Sequence, residues 1–274
     1  MRPSLCTCSS GRARPSLRDL GKYIYCIADV DGQRTFGPLG IGGQGDQLTS
    51  IPYGDIAAVV SDSPVKRYRV NYENSEVHER AIEAVFTCHT VLPVRFGTVA
   101  EDEDDVRGML EQEYGEYRSL LDRMRGKVEV GVKAVFDEQL VYQEILASHP
   151  EIRRRKEAIA GLPLQQAHWQ LVEIGRMVEA ALAEAKARVR DELVDALRAA
   201  CEDFRLSDRL LGERMIVNAA FLVDRAREAA FDRKMDGLAQ RFGEQIKFRY
   251  VGGFPPFSFV CLVVPWLRES HAVS

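Results

Sequence analysis

The stretch Thr90-Val91-Leu92-Pro93-Val94-Arg95-Phe96-Gly97-Thr98 decides how the chain is divided. It is apolar and β-branched, and helical patterns precede and follow it, so it predicts a buried strand in a β/α unit. Pro93 donates no backbone hydrogen bond and is therefore expected at a sheet edge or a bulge. Arg95 brings five donors into an apolar strand and needs a partner if it is buried.

Arg95 leaves two interpretations open. In an alternating strand Pro93, Arg95 and Gly97 share one face, and Phe96 lies on the opposite, core-facing side. Arg95 then either pairs with a carboxylate of this chain, near residues 101–105, and locks two domains together, or it contacts a partner protein. A buried pair is the expectation for most arginines in such a setting.

The composition narrows the class of protein. A length of 274 residues favours two domains, and 46% hydrophobic with 28% charged residues is a globular balance. The net charge of -4 argues against a general nucleic-acid binder. No apolar run has the length of a membrane span, so no membrane partner is predicted. The six scattered cysteines, without a secretory signal, indicate reduced thiols and a cytoplasmic location.

The N-terminal half predicts a small domain behind a polar segment. Residues 1–21 are expected to be a disordered lead-in, and residues 22–126 an N-terminal α/β domain. Strands are predicted at 22–30 and 56–61, and a helix follows from Asn74 or Ser75. Residues 40–54 are rich in glycine and poor in apolar side chains, which predicts a mobile connector.

The loop 37–45 offers an alternative function. Gly40, Gly42 and Gly45 match a dinucleotide-binding G-x-G-x-x-G, and Asp62 ends a later strand at a suitable distance. That fingerprint requires a helix directly after it, whose N-terminus holds the pyrophosphate. The chain continues instead through a segment with proline and glycine. A connector is therefore favoured, and a nucleotide- or small-ligand-binding enzyme or regulator stays as the alternative.

Catalytic and metal sites are not indicated. His78 and His89 are eleven residues apart, about 16 Å along a helix, which is too far to share one metal ion. The acidic run 101–105 is explained by the dipole of the helix that it begins. The sequence contains no P-loop, no HExxH and no recognisable Ser/His/Asp arrangement. It therefore predicts no catalytic residue, no cofactor and no metal ligand, and a binding protein rather than an enzyme.

The C-terminal half, residues 127–274, predicts a second domain built around a helical hairpin. A strand at 128–136 precedes a long helical region at about 138–203, which Gly161-Leu-Pro163 divides into two arms, projecting or packed on themselves. Strands near 204–210, 213–223, 246–250 and 257–264 and a helix at 224–242 follow. This order matches the split βαβ of a ferredoxin-like fold. The second arm carries an apolar stripe at helical spacing: Leu164, His168, Leu171, Gly175, Val178, Leu182, Ala185, Val189, Leu193, Ala196 and Ala200.

Three motifs carry a resemblance to a known family. The stretch 91–98, the segment Gly212-Glu-Arg-Met-Ile-Val-Asn-Ala-Ala-Phe-Leu-Val223 and the segment Gly253-Phe-Pro-Pro-Phe-Ser-Phe-Val260 resemble motifs of the gas vesicle proteins F and L, the GvpL/GvpF family. Phe254 and Phe257 stand where Trp and Tyr are usual, so any hydrogen bond made there in relatives is lost. The resemblance covers about residues 22–264 and implies an α+β fold of two mixed domains, the second a modified ferredoxin-like fold.

The resemblance also implies a function. It predicts an accessory protein of gas vesicle assembly, in the cytoplasm and associated with gas vesicles, that binds the apolar shell protein to nucleate or extend the wall. Other accessory gas vesicle proteins are further candidate partners. The hairpin and the turn 252–257 are the candidate surfaces, and the turn is equally well explained as internal packing. The candidate motif and interface residues are Pro93, Arg95, Phe96, Gly97, Phe254, Pro255, Pro256 and Phe257.

Overall fold

The computed structural model describes residues 20–41, 46–64, 68–207 and 212–264. These residues divide into two compact units. The first contains the described residues up to Arg125 and those from Cys261 onward, and the second is Gly126–Val260. Each unit combines helices with an antiparallel sheet, so the predicted α+β class is confirmed. The predicted lead-in lies outside the described residues except at its end, where Leu20 already begins a strand.

The first unit is built on one six-stranded sheet. Its strands are β1 (Leu20–Ala28), β2 (Thr35–Gly37), β3 (Leu48–Tyr53), β4 (Ile56–Pro64), β5 (Val91–Pro93) and β6 (Val99–Ala100). The sheet order is β2-β3-β4-β1-β5. The strand β6 also pairs with β1, at a different part of that strand from β5. All of these strand pairs are antiparallel, and β5, the first part of the stretch predicted as a buried strand, is buried at all three of its residues. The helices are α1 (Tyr72–Phe86), α2 (Glu103–Gln112) and α3 (Tyr114–Met124).

The strand β3 corrects the expectation of a mobile connector over 40–54. Leu48 and Ile51 are buried in the core, which offsets the entropy of ordering this segment. Gly54 adopts a φ of 60° and, with Asp55, forms the two-residue turn of the β3–β4 hairpin. Such turns require a left-handed conformation that glycine adopts without strain. Residues 42–45 of the predicted connector lie outside the described residues.

The second unit has a four-stranded sheet and four helices. Its elements are β7 (Lys127–Phe136), α4 (Glu138–Ser148), α5 (Pro150–Ala158), α6 (Leu164–Arg198), β8 (Asp203–Leu206), β9 (Met215–Asp224), α7 (Glu228–Phe242) and β10 (Ile246–Phe254). The sheet order is β10-β7-β9-β8, and every neighbouring pair is antiparallel. The strand β9 therefore lies between β7 and β8.

The helical region follows the prediction with one difference. Gly161, at a φ of 95°, and Pro163 separate α5 from α6 at the expected place. The first arm is not continuous, because it breaks at His149 and restarts with Pro150 in the first turn of α5. The second arm, α6, has 35 residues and is about 52 Å long.

The last segment differs from the prediction. Residues 257–264 do not form a strand of the second sheet, because Pro255 and Pro256 cannot donate to a ladder and the chain then makes a turn. Beyond it, Leu262 forms a parallel bridge with Val94 of the first unit. The predicted assignment of 127–274 to one domain is therefore incorrect from Cys261 onward. Within the described part of the chain, no helix is long and apolar enough to span a bilayer.

Candidate functional site

The stretch quoted first is two short strands with a turn between them. Both β5 and β6 pair with β1, and the chain leaves the sheet between them at residues 94–98, here called the motif turn. The Val94 N–H donates to Tyr25 O at 2.9 Å on one side, and the Ile24 N–H donates to Thr98 O at 2.9 Å on the other. Pro93 ends β5 at the edge of the sheet, as predicted, and Gly97 makes the turn with a φ of 83°.

A buried hydrogen-bond chain holds the motif turn. The Gly97 N–H donates to the Tyr23 hydroxyl at 3.0 Å, and this hydroxyl lies 3.0 Å from Nδ1 of His78. On the other side of the ring, Nε2 of His78 lies 3.1 Å from the Val94 carbonyl oxygen. Because a carbonyl only accepts, Nε2 carries the proton, Nδ1 accepts from Tyr23, and Tyr23 accepts from Gly97. These hydrogen bonds thus connect α1, β1 and both ends of the motif turn.

Burial keeps His78 and Tyr23, the titratable members of this hydrogen-bond network, uncharged. His78 is only 5% exposed, and loss of hydration lowers its pKa from 6.5 to about 4. Burial likewise raises the pKa of the Tyr23 hydroxyl above its ordinary value. Both groups are neutral near pH 7, which is the state that the hydrogen-bond directions require. The ring of Phe96 closes the cluster, with its centroid 5.6 Å from that of His78.

A second tyrosine extends the cluster toward the loop 37–45. The ring of Tyr25 stacks on His78 with centroids 5.6 Å apart. Its hydroxyl accepts from the Ile41 N–H at 2.7 Å and lies 2.9 Å from the Ser61 hydroxyl. Burial raises the pKa of Tyr25 to about 12. The sequence interpretation missed both tyrosines, although two hydroxyls in an otherwise apolar strand were a usable signal that buried partners had to exist.

Arg95 does not make the ion pair that was expected. Its side chain is exposed, and it forms no ion pair with any residue that the structure describes. Of the acidic run, Glu103 pairs with other residues, 3.4 Å from Lys22 and 3.6 Å from Arg107. The reason is that the chain turns away from β1 after Val94, so strand alternation no longer governs which side the following residues face.

The hydrogen bonds of this cluster indicate a structural role for its side chains. Both ring nitrogens of His78 are used, so neither is available as a metal ligand. His89, the other histidine considered, lies 3.3 Å from the Asp29 carbonyl oxygen and also has a local partner. Across the described ranges, no group of three or more His, Cys, Asp or Glu side chains has the geometry to hold a metal ion.

The turn 252–257 lies mostly against its own unit. Pro255 and Pro256 are buried, whereas Phe254 and Phe257 are half-buried. Behind them, the carboxylate of Glu129 accepts from the Ser258 N–H at 2.7 Å and from its hydroxyl at 2.6 Å. Burial raises the pKa of Glu129. These contacts favour internal packing over an open binding surface for this turn.

The loop 37–45 does not have the context of a nucleotide site. The strand β3, not a helix, follows it, so no helix N-terminus is available for a pyrophosphate. The Gly40 N–H donates to Asp46 O at 2.9 Å, and a Cβ on Gly40 would lie 2.6 Å from that of Asp46. The glycine thus permits a close internal contact. Asp62 is paired with Lys22 at 2.6 Å.

The apolar stripe predicted on α6 is covered over only part of its length. Near the C-terminal end, Leu193 and Leu197 are 1% and 0% exposed, and α6 packs there on β9 and α7. Toward the N-terminal end, the buried side chains are Ala167, Ile174 and Ala181, on the side that packs on α4 and α5. The predicted stripe lies beside that face, where Leu164 and Leu171 are exposed and Val178 and Leu182 are half-buried.

Two exposed residues of the predicted stripe and two exposed apolar residues beside it form a surface, here called the α6 apolar arc: Leu164, Trp169, Leu171 and Val172. Their side chains are 78%, 79%, 43% and 38% exposed. At about 100° per residue they follow one another around nearly half of the helix. Of the ten large hydrophobic side chains exposed in the described chain, five lie within residues 162–172. Exposed apolar residues are ordinarily scattered, so this concentration indicates a binding surface.

Comparison with known proteins gives a consistent result. The sequence profile of the family described as "Gas vesicle synthesis protein GvpL/GvpF" matches residues 21–261. Gas vesicle protein F of Streptomyces sp. (strain CB03234) is 31% identical over 246 residues, covering 88% of this chain and 100% of that protein. Gas vesicle protein L of the same strain is 28% identical over 274 residues, covering 91% of this chain and 96% of the relative. The crystal structure of GvpF from Anabaena sp. PCC7120 superposes with a TM-score of 0.76 at 25% identity, over 89% of this chain and 100% of that chain.

Proposed function

Because the chain belongs to the gas vesicle synthesis protein GvpL/GvpF family, we propose that it serves gas vesicle assembly by binding the apolar shell protein before that protein enters the wall. A role in gas vesicle assembly follows from the family itself. The finer statement, that the shell protein is a direct partner, is the proposal. We also place the protein in the cytoplasm and in association with gas vesicles, where it contacts other accessory gas vesicle proteins.

The observation that carries the proposal is the α6 apolar arc. A subunit that forms a very apolar wall must be kept from aggregating until it is incorporated. A partner helix can lay its apolar face along an exposed apolar helix and so cover both surfaces. Leu164 and Leu171 are seven residues apart, which places them two turns apart on one side of α6, as helix-to-helix docking requires.

Trp169 adds a large anchor at the edge of this surface. Tryptophan is enriched among the residues that contribute most to protein interfaces, because a wide flat ring loses little conformational entropy on binding. With 79% of its side chain exposed, Trp169 gains little from the folded chain. Its burial against a partner would release water from most of the ring.

The stripe leads to a cavity at the base of the hairpin. This surface cavity, of about 350 Å³, is lined by Phe136, Glu138, Val141, Leu182, Glu213 and Arg214. Leu182 lies eighteen residues after Leu164, at nearly the same angular position on α6 and about 27 Å further along it. An amphipathic helix of about eighteen residues would therefore reach from the arc to the cavity.

The test is capture of the shell protein by the full chain. The triple variant Leu164→Ser, Trp169→Ser, Leu171→Ser removes the arc and should reduce shell-protein capture by roughly tenfold or more. Because all three side chains are exposed, its thermal stability should stay close to that of the unmodified protein.

A matched control is available in the first unit. Val70 and Tyr72 are 82% and 84% exposed, and Val70→Ser with Tyr72→Ser removes similar apolar surface elsewhere. This control should capture the shell protein normally. If the triple variant and the control behave alike, the arc is not the binding surface. If the unmodified chain captures no shell protein, the proposed function itself is wrong.

A further inference from the structure

The sheet of the second unit places two positive charges directly opposite each other. Arg249 of β10 and Lys133 of β7 are cross-strand partners in the antiparallel ladder, and both side chains are exposed. Like charges directly opposite each other destabilise a strand pair. Neither side chain has an ion-pair partner among the described residues. This pair of charges therefore does not stabilise the sheet.

The other charges on this face of the sheet are already compensated. Cross-strand partners share a face, which places Lys247 and Arg205 on the same side as Lys133. Lys247 pairs with Asp137 at 2.9 Å, and Arg205 pairs with Asp203 at 3.1 Å. The carboxylate of Glu129, also on this face, is engaged by Ser258. The uncompensated charge is thus confined to the pair Lys133 and Arg249.

The surroundings of the pair leave room for a ligand group. The neighbouring row of the sheet contains Val251, Gly131 and Ala220 as cross-strand partners. A Cβ built on Gly131 would meet only the Val251 carbonyl oxygen, at 3.7 Å. Gly131 and Ala220 of this row have little or no side chain next to the two long cationic side chains, so an acidic side chain from outside can approach both.

The first unit carries a complementary pair of negative charges. In the run 101–105, Glu103 is paired with Lys22 and Arg107, and the carboxylates of Asp102 and Asp105 accept backbone N–H groups. Glu101 and Asp104 remain, exposed and without an ion pair to a described residue. Glu101 directly precedes the N-cap residue Asp102, and Asp104 lies in the first turn of α2, so both belong to the start of this helix.

We propose that the chain self-associates head to tail, with Glu101 and Asp104 of one copy docked on Lys133 and Arg249 of the next. Two uncompensated anions then meet two uncompensated cations. The two surfaces are different, so the contact is heterologous, and repetition gives an open row or a closed ring of copies. Attraction between exposed charges is screened by salt, so the association is strongest at low ionic strength. The proposal does not depend on shell-protein binding.

Charge reversal tests the proposal with the purified full-length chain. One variant is Lys133→Glu with Arg249→Glu, and the other is Glu101→Lys with Asp104→Lys. Sedimentation velocity at about 0.02 M and about 0.5 M salt measures association, where the screening length falls severalfold. The unmodified protein should associate at low salt and dissociate at high salt. Each variant alone should be monomeric, because its two docking surfaces carry the same sign of charge.

The decisive sample is the mixture of the two variants. The reversed surface of each is complementary to the other, so the mixture should associate at low salt although neither variant does so alone. Reversal at Arg153 and Arg154, exposed basic residues of α5, serves as the control and should leave association unchanged. A monomeric unmodified protein at low salt would overturn the proposal. Association of either variant alone at the level of the unmodified protein would overturn it as well.

Discussion

Replacing Tyr23 with phenylalanine should weaken the first unit by removing one oxygen atom from its core. The hydroxyl accepts from the Gly97 N–H and donates to Nδ1 of His78, at 3.0 Å in both cases. The aromatic ring remains, so its packing on Tyr25 and Phe96 is kept and no cavity opens. The effect therefore isolates the hydrogen-bond chain.

The expected loss of free energy follows from the hydrogen-bonding groups that Tyr23→Phe leaves without a partner. Each lost hydrogen bond contributes about 0.5–1.5 kcal/mol net, and a buried acceptor without a donor costs a further 1–3 kcal/mol or so. His78 is only 5% exposed, so water does not readily replace the hydroxyl at Nδ1. Tyr23→Phe should therefore lower the opening free energy by about 2–6 kcal/mol, and speed amide exchange in the motif turn by about 30-fold or more.

Native-state hydrogen exchange followed by mass spectrometry measures this locally, in residues 20–28 and 94–98. Tyr72→Phe is the matched control, because Tyr72 is 84% exposed and the loss of its hydroxyl should change stability by less than about 0.5 kcal/mol. Equal exchange in the two variants would refute the idea that the Tyr23–His78 chain holds the motif turn.

Two further predictions concern the same region. Stability of the first unit should fall by about 3 kcal/mol as the pH is lowered from about 6.5 to about 4, because burial lowers the pKa of His78 from 6.5 to about 4 and the unfolded state takes up the proton first. Acid titration of unfolding in His78→Gln, which cannot titrate, should lack this part of the slope, and an unchanged slope would contradict the assignment. Arg95→Ala should change the unfolding free energy by less than about 0.5 kcal/mol, because the side chain is exposed without an ion pair to a described residue. A loss of several kcal/mol in denaturant unfolding would reveal a buried partner.

Local patterns in the sequence identified most of the elements. The 3.6-residue periodicity gave the helices, and Gly161 with Pro163 gave the break between the arms of the hairpin. Apolar runs predicted β1, β4, β7 and β9. These features depend on residues close together in the chain, so propensity, capping and turn chemistry are sufficient to predict them.

Contacts between residues far apart in the chain determined the features that the sequence did not predict. The stretch 90–98 has the composition of one strand, yet pairing of its two ends with β1 leaves residues 94–98 as a turn. The partner of His78 is Tyr23, 55 residues away, and no local pattern specifies which buried hydroxyl meets which ring. Residues 257–264 also have the composition of a strand, but Leu262 lies next to Val94 in the first unit.

The helix α6 shows most clearly which features the sequence determines and which depend on the tertiary structure. Its apolar stripe is continuous in the sequence from Leu164 to Ala200, and helical spacing alone establishes that the stripe exists. Only the tertiary structure shows that the sheet and α7 cover the part of α6 near its C-terminal end, whereas Leu164 and Leu171 stay exposed. Leu193 and Leu164 are alike in the sequence pattern, but they are 1% and 78% exposed. Burial depends on where other elements end in space, and a periodic pattern along one helix carries no information about that.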